Sequence, residues 1–254
     1  MVLVEVLGVA GAVYAALNVY MFAKQKSILY RPDTHDIAAC SHFSKGKTIE
    51  MNGTRARFHL VSDKLVIFYH GRRGSICDRA FLQSFFEDLG YSSLFVSLAG
   101  FGGDKRKSSL RNVQDDVRHV IAWLRERQWS SVVVFGESLG SAVAAFHAKT
   151  AMPQKLVLVS SFTSMTAIAK RRYPYLLSDL LLTEKYDTKK WLNAFSQNLL
   201  IIHGTNDAVC PFDHAVQLRD AAASLDRKVI PVEGVGHNNV FRYKKTMDAI
   251  REFL

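Results

Sequence analysis

The sequence predicts an α/β domain with a mostly parallel sheet and helices on both faces, preceded by one membrane-spanning helix. The domain is predicted because short apolar runs, rich in β-branched and aromatic residues, alternate with helical segments along the chain. The leading helix is predicted because residues 2–22 are apolar and include one charged side chain, Glu5. A helix of that length can cross a bilayer.

Positive charge follows this apolar segment, at Lys24, Lys26 and Arg31. A secretory signal carries its positive residues before the apolar core, so the pattern indicates a retained anchor. The position of the charge favours a single-pass protein whose domain faces the cytoplasm, with the orientation left open. We therefore divide the chain into an anchor, residues 1–23, and a catalytic domain, residues 24–254.

Small residues recur every four positions in the anchor, at Gly8, Ala12 and Ala16. This spacing could pack one helix against another and so form a homo-oligomer, or it could simply be tolerated in lipid. Both alternatives stay open.

The domain elements follow from local patterns. Strands are expected at 56–61, 65–69, 91–98, 131–135, 155–159, 199–203 and 228–232, and helices at 77–89, 113–124 and 141–148. The strands are short apolar runs, and the helices repeat apolar or small residues at helical spacing. Residues 33–48 are mixed polar and predict a connector or an early hairpin.

Residues 136–140, Gly-Glu-Ser-Leu-Gly, fit the pattern G-x-S-x-G between the strand at 131–135 and the helix at 141–148. Strand, sharp turn and helix form the context in which this pattern raises a nucleophilic serine above a sheet. Glycine at both ends leaves room for the tight turn. Ser138 is therefore the candidate nucleophile, although such a motif alone is more often only a turn.

An acid and a histidine follow Ser138 in the order that such an elbow requires. Asp207 comes shortly after the strand at 199–203, and His237 lies in a glycine-containing loop after the strand at 228–232. His237 would take the serine proton and return it to the leaving group, while Asp207 would orient the imidazole. Each residue alone has an ordinary structural explanation, and the joint order is what favours catalysis.

A His-Gly pair at residues 70–71 ends another predicted strand. Beside an elbow of this kind, one backbone N–H of the loop after that strand joins the N–H after the nucleophile to hold an oxyanion. This assigns the backbone amides of Arg72 and Leu139. No second metal ligand lies at suitable spacing from His70, so we expect His70 to brace the loop and expect no metal.

With these motifs the chain resembles the serine hydrolases of the α/β-hydrolase superfamily. More narrowly, it is similar to the small membrane-anchored group that includes lipid esterases and protein depalmitoylases. The resemblance rests on residues 27–32, 70–71, 136–140, 203–207 and 236–238. One departure is that Arg72 and Arg73 follow His-Gly, where relatives often carry a small or amide residue; the rim of the pocket becomes cationic.

The resemblance implies a membrane-anchored serine hydrolase that cleaves carboxylic esters or thioesters of lipid-like substrates through an acyl-enzyme, without a cofactor. It also implies that residues 161–198 form a small cap over the site. This segment is rich in leucine and tyrosine with a basic edge at 170–172. It suits an acyl chain under an anionic head or, equally, packing against the sheet. Arg73, Tyr173 and Tyr175 are expected to contact the substrate.

Two other functions remain open at this stage. One is a serine peptidase of related architecture, which is weakened because the chain has no propeller domain or large extra module. The other is a catalytically silent scaffold protein, against which the intact set of Ser138, Asp207 and His237 argues.

Composition limits the partners. A net charge of +10 indicates an anionic partner, and a membrane surface fits best beside an apolar anchor. No helix-turn-helix, zinc-finger or RNA-binding pattern is present, which argues against nucleic acid. Cys40, Cys77 and Cys210 lack the spacing of a disulfide framework or a zinc site, and free thiols favour a reducing compartment.

Overall fold

An eight-stranded sheet forms the centre of the computed structural model, which describes residues 2–254. The described residues contain ten strands, of which β1 and β5 form a separate two-stranded sheet. The strands are β1 Arg31–Pro32, β2 Lys47–Met51, β3 Thr54–His59, β4 Lys64–Tyr69, β5 Arg73–Gly74, β6 Ser92–Ser97, β7 Ser131–Glu137, β8 Lys155–Val159, β9 Asn198–Gly204 and β10 Arg227–Val232. The order across the sheet is β10-β9-β8-β7-β4-β6-β3-β2. The pairs β2–β3 and β3–β6 are antiparallel, and the other neighbours are parallel. The predicted mostly parallel sheet is confirmed.

Helices cover both faces of this sheet. In chain order the helices are α1 Val2–Leu29, α2 Phe81–Asp88, α3 Leu110–Leu124, α4 Leu139–Ala151, α5 Met165–Arg172, α6 Ser178–Leu181, α7 Thr188–Leu192, α8 Asp213–Ala221 and α9 Lys244–Phe253. Helix α1 precedes the sheet and is mostly exposed. Alternate residues of β4 enter two separate cores: Leu65 and Ile67 pack in the layer of α3 and α4, while Val66 and Phe68 pack in the layer of α2 and α9. Burial on both faces explains why the central strands are continuous apolar runs.

The predicted helices are present, with one difference at 77–89. Ser75 caps a 3₁₀ turn, Ile76–Arg79, which precedes α2. Leu82 and Phe86 are buried on the face of α2 that meets the sheet, whereas Phe81 is 48% exposed. The α-helix therefore begins at Phe81 and not at residue 77.

The expectation that the three cysteines are free is wrong. Cys40 and Cys77 form a disulfide, with Cα atoms 6.1 Å apart, and Cys210 is a buried free thiol. The two half-cystines are 37 positions apart in the sequence, so no local spacing marks them. Because disulfides persist in oxidising compartments, the cysteines no longer favour a reducing one.

The segment expected to be an anchor meets the domain without a flexible linker. Helix α1 runs through the expected boundary at residue 23 and ends at Leu29, and its span Val4–Leu29 is long and apolar enough to cross a membrane. Strand β1 follows at once and pairs in parallel with β5, opposite Arg73. The short sheet fastens the end of α1 to the loop after β4.

The segment expected to form a cap, residues 161–198, divides into two parts. Tyr186, Trp191 and Leu192 are buried in the core beside α4, so this end packs against the domain. Helix α5 has no fully buried residue among those described, and Leu177 and Leu180 near α6 are exposed. Packing against the domain therefore explains the composition of residues 186–192, and contact of the exposed part with a substrate stays a prediction.

Candidate active site

Ser138 occupies the turn between β7 and α4. Its φ is 53° and its ψ is −117°, a backbone conformation that costs energy for a residue other than glycine. A Cβ atom on Gly136 would overlap the backbone of Gly140, and one on Gly140 would overlap the carbonyl oxygen of Tyr69. Both glycines of the motif are therefore required by close approach of strand and helix.

Hydrogen bonds from several sides hold this strained turn. The Ser138 N–H donates to the carbonyl of Val159 at 2.9 Å, and the Ser138 carbonyl accepts the N–H of Ser141 at 2.9 Å. The hydroxyl of Ser160, another residue with positive φ (50°), donates to the carbonyl of His237 at 3.1 Å. The end of β8 thus braces both the elbow and the histidine loop.

The three candidate catalytic side chains come together. The Oγ atom of Ser138 lies 2.9 Å from Nε2 of His237, and Nδ1 of His237 lies 2.7 Å from Oδ2 of Asp207. The Asp207 side chain is fully buried and that of His237 nearly so. This geometry lets an imidazole accept the serine proton while its other nitrogen donates to a carboxylate.

The carboxylate of Asp207 is held by further donors. Its Oδ1 accepts the backbone N–H groups of Val209 and Cys210, each at 2.8 Å, and Nε2 of the buried His203 lies 3.3 Å from its Oδ2. Burial by itself would raise the pKa of Asp207. The hydrogen bonds with His203 and His237 and the charge of His237 outweigh it, so the pKa lies well below its ordinary value.

His203 is a site residue that the sequence analysis did not single out. Its Nε2 also lies 2.7 Å from the carbonyl of Cys210, so the imidazole links the two ends of the loop that carries Asp207. The signal available was its place at the end of β9, but a histidine closing a buried strand has no chemistry that marks it in advance.

His70 braces the loop after β4, as expected. Its Nε2 accepts the N–H of Leu98 at 3.1 Å, and its Nδ1 lies 2.8 Å from the carbonyl of Gly71. Burial lowers the pKa of His70 to about 4, which keeps the ring neutral at physiological pH. A Cβ atom on Gly71 would lie 3.6 Å from Cβ of Ser138, so this loop passes directly beside the elbow.

The two expected oxyanion donors come from different segments: Leu139 directly follows Ser138, and Arg72 follows Gly71 in the loop that passes beside it. The Leu139 amide opens α4, where first-turn N–H groups have no helical acceptor. The Arg72 amide follows Gly71, and the Arg72 carbonyl accepts the Arg31 N–H of β1 at 2.9 Å. This hydrogen bond fixes the orientation of the peptide bond between Arg72 and Arg73, which follows the Arg72 amide.

Arginines crowd this loop. The Nη1 atom of Arg72 donates to the carbonyl of Ile28 in the last turn of α1 at 3.1 Å. Burial, together with the charges of Arg31 and Arg73, lowers the pKa of Arg72 below its ordinary value. Three cations therefore surround the end of α1 beside the elbow.

The side chains expected to contact a substrate differ in their placement. Arg73 lies exposed on β5, and the half-buried Tyr173 follows α5, close enough to Arg72 to make a minor contribution to its pKa. Tyr175 is 59% exposed on the cap surface. The structure does not bury Tyr175 in the site, and its contact with substrate remains a prediction.

An ion pair that the sequence analysis did not anticipate stabilises the elbow. Nε and Nη2 of Arg79 donate to the two carboxylate oxygens of Glu137 at 2.7 and 2.6 Å. The guanidinium also lies 5.6 Å from the ring centre of Phe241. The bidentate pair joins the turn before α2 to the residue preceding Ser138.

Comparison with known proteins gives relatives and structural neighbours, whereas no family model matches the chain. An uncharacterised protein of Mycobacterium tuberculosis is 29% identical over 264 residues, covering 98% of this chain and 94% of that protein. The lysophosphatidylserine lipase ABHD12 of Gallus gallus is 27% identical over 223 residues. This match covers 76% of the chain and 58% of the lipase.

The structural comparison agrees with the topology. The esterase Pf2001 of Pyrococcus furiosus superposes with a TM-score of 0.70 at 16% identity, covering 89% of this chain and 98% of the esterase. The chain therefore has the α/β-hydrolase fold and resembles the hydrolases of that superfamily.

Proposed function

We propose that the protein is a membrane-anchored serine hydrolase that cleaves carboxylic esters or thioesters of lipid-like substrates through an acyl-enzyme. The observation that carries the proposal is the aligned hydroxyl, imidazole and carboxylate of Ser138, His237 and Asp207 on a strained elbow. Nucleophile, base and orienting acid at these distances are what acyl transfer requires.

In the first half of the proposed reaction, Oγ of Ser138 attacks the acyl carbon while Nε2 of His237 takes the hydroxyl proton. The negative charge moves to the acyl oxygen, where the backbone amides of Leu139 and Arg72 stabilise it. The tetrahedral species collapses, the bond to the leaving oxygen or sulfur breaks, and His237 returns its proton to that atom. Asp207 stabilises the imidazolium throughout.

In the second half, water replaces the leaving group. His237 takes a proton from the water, whose oxygen attacks the acyl carbon of the Ser138 ester. When this second tetrahedral species collapses, the proton returns to Oγ, and a free acid leaves. No step calls for a cofactor, and the same five groups act in both halves of the reaction.

The surroundings of the elbow support a lipid-like substrate with an anionic head. Arg31, Arg72 and Arg73 provide positive charge beside the proposed oxyanion site, and exposed leucines on the cap provide apolar surface. The relative ABHD12 is named a lysophosphatidylserine lipase, whose substrate class combines an acyl chain with an anionic head. Helix α1 would hold the site at the membrane that contains such molecules.

Labelling with a fluorophosphonate probe tests the proposal. We expect the probe to modify Ser138, located by peptide mass spectrometry, and labelling to be lost in Ser138→Ala but kept in Ser84→Ala, which changes an exposed serine of α2. Absence of labelling in the wild-type chain would favour a silent scaffold. A labelled protein that cleaves peptides but no ester or thioester would be a peptidase.

A further inference from the structure

Asn18 stands out within α1. Its side chain is 5% exposed, whereas its neighbours Leu17 and Val19 are exposed. A polar side chain within an apolar membrane helix is costly unless its hydrogen bonds are satisfied, and such residues usually have a function. The hydrogen-bond partners of Asn18 therefore indicate which segment packs against this face of α1.

The Nδ2 group of Asn18 donates to the carbonyl of Tyr14 within α1 at 2.9 Å, and the other partner comes from the cap. The Leu177 N–H donates to Oδ1 of Asn18 at 3.0 Å. Further along the helix, Oε1 of Gln25 accepts the Thr183 N–H at 2.7 Å, and Nε2 of Gln25 donates to the carbonyl of Leu181 at 3.3 Å. The cap segment thus runs parallel to α1, in the same chain direction, and is hydrogen-bonded to it at two levels, Asn18 and Gln25.

The C-terminal end of this cap segment, at Glu184, is hydrogen-bonded to the domain as well. The buried carboxylate of Glu184 accepts the hydroxyl of Tyr30 at 2.6 Å and the N–H of Leu110 at 2.5 Å, and it lies 3.5 Å from Nζ of Lys26. Helix α1, the cap and α3 therefore meet at one carboxylate. This junction sets the position of the cap relative to the proposed membrane helix.

The two levels differ in depth. At a rise of 1.5 Å per residue, Asn18 lies about 9 Å along the helix axis from Lys24, toward the apolar end of α1. Lysine side chains stay at the water interface of a spanning helix. The backbone at Leu177, which donates to Asn18, therefore lies on the hydrocarbon side of the lysines.

Apolar side chains of the cap are exposed around the contact between Leu177 and Asn18. Leu177 is 46% exposed, Leu180 76% and Tyr175 59%. Lysine and arginines at residues 170–172 form the exposed basic end of α5, just before the segment. Apolar groups flanked by cations suit the boundary between acyl chains and anionic headgroups.

We propose that residues 173–182 lie within the membrane interface against α1, and that bilayer lipids cover Tyr175, Leu177 and Leu180. This inference rests on the proposed spanning role of α1. Arg72, which follows Gly71 beside the elbow, already contacts the last turn of the same helix. A lipid substrate would consequently reach Ser138 from the bilayer without crossing bulk water.

Depth-dependent quenching tests this placement. The full chain carrying Leu180→Cys is labelled with an NBD fluorophore and reconstituted into phosphatidylcholine vesicles with phosphatidylglycerol and doxyl-labelled lipid. Cys40 and Cys77 are paired and Cys210 is buried, so the unaltered chain measures background labelling. Val13→Cys in α1 and Leu225→Cys, a fully exposed position outside the cap, are the matched controls.

We expect doxyl lipid to quench the probe at position 180 and at position 13, but not at position 225. Quenching at 13 without quenching at 180 would overturn the inference and leave the anchor intact. Quenching at none of the three would instead contradict the spanning role of α1. A probe at 180 that is shielded only at high protein-to-lipid ratio would show that a second copy covers the patch, which also overturns the inference.

A second measurement uses Asn18→Leu, which removes the acceptor for the Leu177 N–H. We expect the turnover of a lipid ester in vesicles, relative to that of a short soluble ester, to fall about fivefold, as loss of one hydrogen bond allows. Val19→Leu, at an exposed neighbouring position, should leave the ratio unchanged. An unchanged ratio in Asn18→Leu, or an equal fall in both activities, would contradict a cap that is positioned for the membrane.

Discussion

His203 and His237 approach the same carboxylate oxygen of Asp207, at 3.3 and 2.7 Å. The imidazole of His203 is buried, and its Nε2 also lies 2.7 Å from the carbonyl oxygen of Cys210. His203 therefore acts on His237 only through the acid, by holding the loop that positions Asp207. It is a positioning residue in the proposed reaction.

We predict that Ser138→Ala lowers kcat/KM for a soluble ester by at least about three orders of magnitude, since only binding and the oxyanion donors would remain. His237→Ala should lose a similar factor because the base is removed. Circular dichroism should show an unchanged fold, and Ser84→Ala serves as the control. Turnover of Ser138→Ala within tenfold of the wild type would exclude Ser138 as nucleophile.

Asp207→Asn should be impaired less than Ser138→Ala, because the amide spoils the orientation and tautomer of His237 but leaves the attacking hydroxyl in place. His203→Phe should be milder again, since Asp207 keeps the two backbone donors at 2.8 Å. Steady-state kinetics on one ester substrate checks the order. A His203→Phe variant as inactive as Ser138→Ala would give His203 a direct role.

Activity should rise once with pH between acid and neutral, because only a neutral His237 accepts the serine proton. Asp207 adds no second rise in this range, because its lowered pKa keeps it ionised well below the pH at which an ordinary aspartate takes up a proton. A pH profile of kcat/KM measures the slope. A flat profile, or a slope that reports two protons, would contradict these assignments.

Stability should fall with acid for a separate reason. Burial lowers the pKa of His70 to about 4 and that of His147 to about 3, against 6.5 when unfolded. Between pH 6.5 and the lowered pKa of each histidine, the unfolded chain binds more protons than the folded chain. The free energy of unfolding therefore decreases as the pH falls below 6.5. Thermal melts of the full chain in detergent should show a lower midpoint at pH 5 than at pH 7.

Substitution of one of these histidines separates this effect from other acid sensitivity. His147→Gln should flatten the pH dependence, and the new side chain can still pair with the hydroxyl of Tyr69, which lies 2.8 Å from Nδ1 of His147. His42→Gln, on the exposed connector, should keep the wild-type slope. Equal slopes in all three proteins would show that the buried imidazole does not contribute.

The elements that the sequence predicted well are those with local signals. Ser138 lies in a motif between a strand and a helix, and Asp207 and His237 follow short apolar runs whose length and β-branched residues indicate strands. The pairing of Cys40 with Cys77, the contact of Leu177 with Asn18 and the sheet between Arg31 and Arg73 have no such signal. Each joins segments that are distant in sequence, and only the folded topology brings them together.

The Cys40–Cys77 disulfide should be countable in the purified protein. Denatured without reductant, the chain should expose one thiol, that of Cys210, and all three after reduction. Closing a loop of this size is worth about 3 to 4 kcal/mol on the loop-entropy argument. Cys40→Ala should therefore lower the thermal midpoint, whereas three reactive thiols before reduction would contradict the bond.

Extraction with alkaline carbonate distinguishes a membrane-spanning α1 from a peripheral one. If this helix spans the bilayer, alkaline carbonate should leave the full chain in the membrane fraction, because apolar burial and not charge retains it. Release of the full chain by carbonate would mean that α1 is peripheral or packs against the domain.

A chain starting at Lys24 should lose this resistance but keep hydrolysis of a short soluble ester. It retains Gln25, Lys26 and Tyr30, which hold the cap and Glu184, and it retains β1. Residual binding to anionic vesicles should weaken with salt, since it would depend on surface charge alone. Hydrolysis of lipid esters in vesicles should fall more than that of the soluble ester, because both the anchor and the Asn18 contact are gone. Loss of soluble-ester activity in this shortened chain would show instead that residues before Lys24 are needed to maintain the catalytic site.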